Sequence, residues 1–579
     1  MKFLTQEMGD EGERGYMKMS VEERYDFVIV GGGPNGVTLA AYLAKCGASV
    51  CVLEERPEAG GAVENTQPIA GVHINPHAMF MYGGAAPGFE QLELWKYGLR
   101  MSSPNQMGDI MADADRGCAT TYGMAPISQK DQMGYAKLSG LLGQPTFTRE
   151  LLQATFWCPP HPPEVEVTID NIPYMQVYKQ HQPDVWTEEL LEMDMFDLMD
   201  EYLDTEPFKV QWAVVAWYSG AAGHWKGVAI PAWCSMVALV IYSRMSVPRS
   251  GMHDYFHAVM RCALAHGAVI RTCCPVDEII LNDGTAVGVR LRDNATRGEK
   301  KIWAKKAVVS GVDVRQTFNK LIGPQHVDRG LLQKVNDISL KGGSFYVAHL
   351  YTRERLRTKR PWAKMLGGPY PQDSREIYYD HVADVDGKRG NPTVPPERAL
   401  WLTTPYERFA LTDPQVTRHE GYVMSPIYFL VPPPEYHMDG PDAINKWKDG
   451  MNAYVIKGMS EVYENLNSDN INHLWANSPY DSEFRNTGLI GGTWCGTRHC
   501  ADQWAENRPI PELARYRTPI DGLYLCNQTA CHPGGLFLMA IPYNLMHILI
   551  EDGLVEPGDW WYPSPWYIPQ QGKKSAIRP

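Results

Sequence analysis

The chain has 579 residues, 44% of them hydrophobic and 21% charged, with a formal net charge of −13. That length is ample for a large core and predicts two joined domains rather than one. The acidic balance, without a long basic run, excludes an electrostatic grip on nucleic acid as the main activity.

Residues 1–24 read as a polar N-terminal tail without the apolar segment of a secretory signal. The best apolar run, Pro231 to Tyr242, is too short to span a bilayer. The expectation is a cytoplasmic protein, at most associated with a membrane from one side.

Tyr25 to Val30 (YDFVIV) is a short apolar run that reads as a buried strand. It leads into Gly31-Gly32-Gly33-Pro34-Asn35-Gly36, which fits G-x-G-x-x-G on Gly31, Gly33 and Gly36. Val37, Ala40, Ala41 and Ala44 then recur at helical spacing, and Gly47 is placed to end that helix. A second strand, Ala48 to Leu53, is closed by Glu54, 23 residues beyond the first glycine. In such a unit Gly31 permits the tight turn, Gly33 lets backbone approach a pyrophosphate, and Gly36 lets helix pack on strand. The helix N-terminus offers N–H groups to phosphate, and a carboxylate at Glu54 accepts ribose hydroxyls. Dinucleotide binding follows. The continuation Glu54-Glu55-Arg56, with the Gly60-Gly61 turn, brings a guanidinium and bare backbone to the pyrophosphate from a second side. That favours FAD over NAD, and there is no second complete fingerprint for a separate NADPH domain.

From Pro248 an Arg-Ser-Gly-Met turn opens an amphipathic helix with Phe256, Val259, Met260 and Ala263 on one face. A strand follows Gly267. Val276 to Ile279 and Ala286 to Leu291 read as a hairpin around Asn282-Asp283-Gly284. Ala304 to Asp313 reads as a strand returning to the nucleotide sheet. Near the C-terminus, Leu523 to Cys526 reads as a strand, followed by a glycine-containing loop and a closing helix; Asp502-Gln503 and Arg508-Pro509 lie just upstream.

The series VIVGGGPNG, VLEERPEAGG, PRSGM, VDEI, VGVRL, AVVSGVD, DQ, RP, GLYLC and HPGG resembles the phytoene-desaturase-like FAD-dependent oxidoreductases, a family that includes the carotenoid desaturases. Within it, the chain is most similar to the branch of pyridine nucleotide-disulfide oxidoreductase domain-containing proteins. The resemblance covers about half of the chain. It implies an α/β protein, α+β overall, with a Rossmann-like FAD-binding domain of the glutathione-reductase/amine-oxidase type and an inserted mixed α/β substrate domain. The implied FAD-binding domain is discontinuous, over 25–100, 246–330 and 481–555, and the substrate domain covers 101–245 and 331–480. Val276 is implied to lie near the adenine. Asn527, Gln528, Gly535, Met539 and Ile541, in the loop and the helix after it, are implied to lie against the flavin. One departure stands out: Leu536, Met539 and Pro542 occupy positions where the family carries glycine or small residues.

The implied activity is dehydrogenation or desaturation of a largely apolar, alicyclic or isoprenoid small molecule. Hydride passes to flavin N5, and electrons leave to oxygen, a quinone or another carrier. A redox-neutral flavoprotein (isomerase, hydratase or cyclase) and a non-catalytic carrier of the prenyl-protein escort type are the alternatives; the complete glycine set and Glu54 speak against the carrier. Desaturation needs a proton acceptor, for which His77, His532 and Tyr543 are the candidates, ahead of His73, His224 and Arg498. Asp502, Gln503 and Arg508 are expected to tie the C-terminal loop to the cofactor domain. Trp212, Trp217, Tyr218, Trp225, Trp233 and Tyr242 cluster in one stretch and Phe345, Tyr346, Tyr422, Tyr428 and Phe429 in another; each is expected in core rather than pocket. Residues 385–396 read as an exposed loop. The Pro/Trp-rich tail, 556–579, is expected to dock on the body, on a second copy of the chain or at a membrane face. No nucleophile elbow, P-loop or His/Glu pair at metal spacing was recognised. The 12 cysteines are scattered and predict reduced thiols and no metal.

Overall fold

The computed structural model describes residues 23–571 apart from 70–71, 79–80, 83–86, 103–109, 112–127, 141–146, 217–221, 237–244, 249–250, 296–299, 340–343, 358, 360–368, 371–373, 387–391, 397–400, 405–421, 430–439, 462, 494–495, 498–500 and 535–538. Trp217, Tyr218, Tyr242, Arg498, Gly535 and Leu536 lie outside the described residues, as do 387–391 of the 385–396 loop and, in the two tails, 1–22 and 572–579. The side chains of His73, Phe345, Tyr422, Tyr428 and Phe429 are likewise outside them.

The first strand, β1 (Glu23–Val30), passes through the glycine turn into helix α1 (Pro34–Lys45) and then β2 (Val50–Leu53). Much further along come α2 (Met252–Ala265), β3 (Val269–Arg271), the hairpin β4 (Val276–Asn282) and β5 (Thr285–Leu291), and β6 (Lys301–Ser310). They form one sheet in the order β4-β5-β6-β1-β2-β3, and the short strand Leu523–Leu525 pairs with the end of β6. The β4–β5 and β5–β6 pairings are antiparallel and the others are parallel. Phe27, Val28, Ile29 and all of β2 are essentially fully buried, as a parallel sheet covered on both faces requires. In register, Val30 lies beside Leu53 and Ser310, and Ser310 beside Leu525. The chain therefore leaves all four strands at one edge, where open α/β sheets bind their ligands.

The boundaries differ from the sequence reading for identifiable reasons. β1 extends back beyond Tyr25 at least to Glu23, which pairs with Ile302 and whose carboxylate meets Arg271. β2 starts at Val50 because Ser49 is committed to Asp26: its N–H and hydroxyl both donate to the carboxylate at 2.8 Å. Helix α1 starts three residues before Val37, with Pro34 in its first turn, where a missing N–H costs nothing. It ends at Lys45, two residues before Gly47, whose φ of +82° only glycine adopts readily.

A second, antiparallel sheet has the order Trp401–Thr404, Tyr422–Phe429, Phe345–Thr352, Ile471–Asn477. Alternation along Phe345–Thr352 sends its residues to two faces. Tyr346, Ala348 and Leu350 pack on Met451, Val455 and Met459 of the helix Pro441–Ser460. Tyr351 packs on Val72 and Ile74, residues that follow the nucleotide-binding unit in the chain. Between the halves, helices from Gln129 to Met236 carry an aromatic core. Tyr135 stacks on Trp212 at 5.6 Å, Trp212 meets Trp233 at 4.8 Å, and the Trp233 indole donates to the Leu138 carbonyl at 2.8 Å. These tryptophans are core, as expected of them. Among the described residues no helix is long and apolar enough to cross a membrane.

Candidate functional site

The glycine turn at the strand ends is shaped by its backbone. Gly31 has φ of +101°, and its N–H donates to the Leu53 carbonyl at 2.8 Å. A β-carbon on Gly36 would stand 2.3 Å from the Gly31 carbonyl oxygen and 3.3 Å from Ile29, so glycine is what lets α1 sit on β1. A β-carbon on Gly33 would meet nothing within 4 Å, because that face opens into a cleft of about 960 Å³. The cleft is lined by Gly31, Gly33, Pro34, Gly36, Glu54, Glu55, Arg56, Gly61, Val276, Asn527 and Gln528. Gly60 stands just behind: its N–H donates to the Gly32 carbonyl at 3.0 Å, pinning the second glycine turn to the first.

Glu54 is buried, and its two oxygens accept from the N–H groups of Gly32 and Arg56 at 2.8 Å each. Burial raises its carboxyl, and those two hydrogen bonds oppose the rise. Each oxygen keeps a further lone-pair direction, so the group still has acceptor capacity at the cleft wall. Asn527 is also buried. Its carbonyl oxygen accepts from the Ala530 N–H at 2.8 Å, while its side-chain N–H2 has no hydrogen-bond partner. A buried, unpaired amide in a cleft wall calls for an acceptor.

Cations surround this acidic chain's cleft: Arg56, Arg292, Lys320 and Arg485 all line it. Arg292 pairs with Glu55 at 3.0 Å. Arg56 and Arg485 both pair with the buried Glu64, Arg485 at 3.0 Å. Burial alone would raise the Glu64 carboxyl, but its cationic neighbours hold it below the usual carboxylate range. Sequence reasoning missed Arg485, Arg292 and Lys320. They belong to no motif, and Arg485 reaches Glu64 across 421 positions of chain.

The loop after Leu523–Leu525 is held from behind. Arg508 is fully buried and donates to the carbonyls of Gln528 and Cys531, the latter at 3.1 Å, and its far nitrogen lies 3.5 Å from the Gln503 carbonyl. The Thr529 hydroxyl donates to Asp313 at 2.6 Å, joining the loop to the end of β6. The expected tie between Arg508, Gln503 and this loop is thus made through backbone oxygens.

The three candidate proton acceptors are not brought together. His77 is buried near Glu64, with Nδ1 3.6 Å from the carboxylate, and burial pushes it down to about 4. His532 lines a different cleft, of about 260 Å³, walled by Ile172, Leu191, Ile230, Pro231 and Trp504. Its Nε2 lies 3.1 Å from the Thr155 carbonyl, which makes that nitrogen the donor, and its Nδ1 has no hydrogen-bond partner. Burial pushes His532 down to about 4 as well. Tyr543 lines neither of these clefts; its hydroxyl donates to the Tyr562 carbonyl at 3.1 Å in the tail. His224 lies 3.0 Å from the Tyr378 hydroxyl. Met539 and Ile541 are fully buried and line neither cleft. Met539 takes φ of +73° ahead of the closing helix Ala540–Glu551, and its thioether fills the space a side chain at Gly88 would need.

Comparison with known proteins fits this geometry. The model of the NAD(P)-binding Rossmann-like domain matches residues 29–88. A limonene dehydrogenase polypeptide of Castellaniella defragrans, one component of that enzyme, is 22% identical over 94% of this chain and 97% of its own length. Pyridine nucleotide-disulfide oxidoreductase domain-containing protein 2 of Rattus norvegicus is 23% identical over 92% of this chain and 94% of its own. Among solved structures, a putrescine oxidase redesigned in cofactor binding superposes with a TM-score of 0.55 at 13% identity, covering 91% of this chain and 98% of the oxidase. Cyclohexylamine oxidase from Brevibacterium oxydans gives 0.53 at 15%, over 90% of this chain and 96% of its own. The chain is therefore of the oxidoreductase class, built on a Rossmann-like nucleotide-binding domain and similar from end to end to the limonene dehydrogenase component and the domain-containing protein just described.

Proposed function

We propose that this chain is an FAD-dependent oxidoreductase that dehydrogenates or desaturates a largely apolar small molecule, passing the electrons on to oxygen, a quinone or another carrier. The observation that carries the reading is the cleft at the strand ends. Gly33 leaves its floor bare, Gly31 and Gly36 shape the turn, Glu54 offers acceptor capacity, and Asn527 presents an unpaired buried donor. The residues fit an extended dinucleotide. The α1 N-terminus and Arg56 are placed for its phosphates, Glu54 for its ribose, Val276 for its adenine, and the 527–532 loop for its ring end. Bound there, FAD supplies a hydride acceptor at N5.

The smaller cleft suits the substrate. Its walls are mainly apolar, as sites for apolar ligands are. The 527–532 loop runs from one cleft to the other, since Asn527, Gln528 and Thr529 line the first and His532 the second. Donation from Nε2 to Thr155 fixes the His532 tautomer and leaves Nδ1 as the acceptor. With burial keeping the ring neutral, His532 can take up a proton as a C–H bond is broken. An alicyclic or isoprenoid substrate agrees with the name of one full-length relative, the limonene dehydrogenase component.

The test is anaerobic mixing of the flavin-loaded protein with a panel of alicyclic and isoprenoid compounds. At least one should bleach the flavin, and His532→Gln should slow that bleaching by about 10²-fold or more with flavin content unchanged. A spectrum that no compound alters would contradict the proposed reaction.

A further inference from the structure

On α2, His253 and His257 stand four residues apart, one helical turn, so both imidazoles fall on the same face. Glu58 reaches that face from the 54–61 loop. One ligand atom from each of the three lies within 4.8 Å of the others, a grouping of His, Cys or acidic side chains that stands alone among the described residues. The sequence reading recognised no His/Glu pair at metal spacing; the H-x-x-x-H of 253–257 was legible on its helix, and the carboxylate comes from a segment 195 residues earlier.

The hydrogen bonding of His253 sharpens the case. Its Nδ1 lies 3.1 Å from the Val63 carbonyl, so that nitrogen carries the proton. The bare Nε2 then faces the Glu58 carboxylate at 2.8 Å, and it has no hydrogen-bond partner although it is buried. Two lone pairs at that separation repel unless a cation lies between them. A proton serves two of the three groups. A metal ion serves all three, and a backbone carbonyl behind a ligating histidine is the usual orienting arrangement.

We propose that Glu58, His253 and His257 bind a divalent transition metal of the zinc class, with water completing the coordination. Two imidazoles and one carboxylate suit zinc, cobalt or nickel better than calcium or magnesium, which prefer oxygen donors. Glu58 is mostly exposed and free to swing onto the ion, while His253 is fixed. The site acts as a clip. Glu58 sits between Arg56 and Gly61, both in the wall of the nucleotide cleft, and His253 packs on Gly60, where a β-carbon would come within 2.8 Å of its ring. An ion bound there holds the 54–61 loop to α2 and so couples metal binding to the shape of that wall.

The experiment uses the full-length, tag-free protein treated with chelator, titrated with Co²⁺ and followed by its visible absorption, with Zn²⁺ as competitor. The expected result is saturable binding of one ion per chain, displaced by Zn²⁺, with Glu58→Gln and His257→Gln each weakening it at least tenfold. Both variants should keep the wild-type unfolding temperature in chelator, and Zn²⁺ should raise that temperature in the wild type alone. Absence of saturable binding below millimolar Co²⁺ would leave a His253–Glu58 ion pair only and overturn the proposal. So would binding that either substitution leaves unchanged. None of these readouts requires flavin, so they stand or fall apart from the proposed reaction.

Discussion

Gly36 is the residue on which the nucleotide end turns. An added methyl there points at the Gly31 carbonyl oxygen from 2.3 Å, and the obstacle is backbone, which cannot swing aside. Gly36→Ala should therefore destabilise the protein by about 1–3 kcal/mol and strip it of flavin, read by urea unfolding and by absorbance after gel filtration. Wild-type flavin content in that variant would mean that the turn does not set the cleft. The contrast with Gly33, whose β-carbon meets nothing within 4 Å, gives the control: Gly33→Ala should fold normally and lose only cofactor. These glycines, and Glu54 at the end of β2, were legible in the sequence because local backbone geometry demands them at fixed spacing. Arg485, and the union of Glu58 with the His253–His257 pair, were not. Their meaning lies in partners brought in from distant segments, and no local rule encodes that.

At the scale of elements, the C-terminal tail is the instructive case. Its aromatic residues forecast docking on the body, on a second copy or at a membrane face without choosing among them, and the described part of the tail, to 571, packs on the body of the same chain. Trp560 stacks on Tyr42 with ring centres 6.1 Å apart and lies under the Lys45 ammonium at 4.8 Å. Trp561 packs on Tyr543 and His547 of the closing helix, at 4.9 and 5.2 Å. His547 is the latch: it lies 3.1 Å from the Tyr543 carbonyl through Nδ1, and its Nε2 accepts the Ser564 N–H at 2.9 Å. The Tyr543 hydroxyl also turns to the tail, donating to the Tyr562 carbonyl at 3.1 Å. His547→Ala should lower stability by about 2 kcal/mol, since it leaves a buried N–H unpaired and opens space beside Trp561. Limited proteolysis should then release the tail. A variant with unaltered unfolding and cleavage would refute the latch. The strands of the nucleotide sheet were legible: β1 and β2 because buried parallel strands read as unbroken apolar runs, and the antiparallel β4–β5 hairpin because of its Asn282-Asp283-Gly284 turn. Met539 was legible only as an anomaly. Its left-handed backbone keeps the geometry of a glycine site, and the missing bulk at Gly88 makes room for its side chain.

For the whole molecule, burial of histidines sets the response to acid. Burial pushes His77, His532 and His547 down to about 4 and His349 to about 3. In the unfolded chain these rings titrate near their ordinary value, about 6.5. Below that value the unfolded state binds more protons, so stability falls as pH drops from about 6.5 towards 4 and levels off once the folded rings protonate. Each buried ring contributes on the order of 1–3 kcal/mol to that loss. Urea midpoints measured from pH 7 to 4.5 should decline continuously, and substituting His547 by glutamine should flatten the decline. A midpoint constant across that range would contradict neutral burial.

The nucleotide cleft is central to the proposed chemistry, and its occupant can be measured directly. The full-length protein is purified, denatured in the dark and its released small molecules separated, with apoprotein re-titrated with FAD and with NAD in parallel. The expected result is FAD in stoichiometric amount or its uptake by the apoprotein, with no comparable binding of NAD, and loss of FAD content and uptake in Gly36→Ala. Colourless protein that takes up no FAD, or that binds NAD in its place, would contradict it.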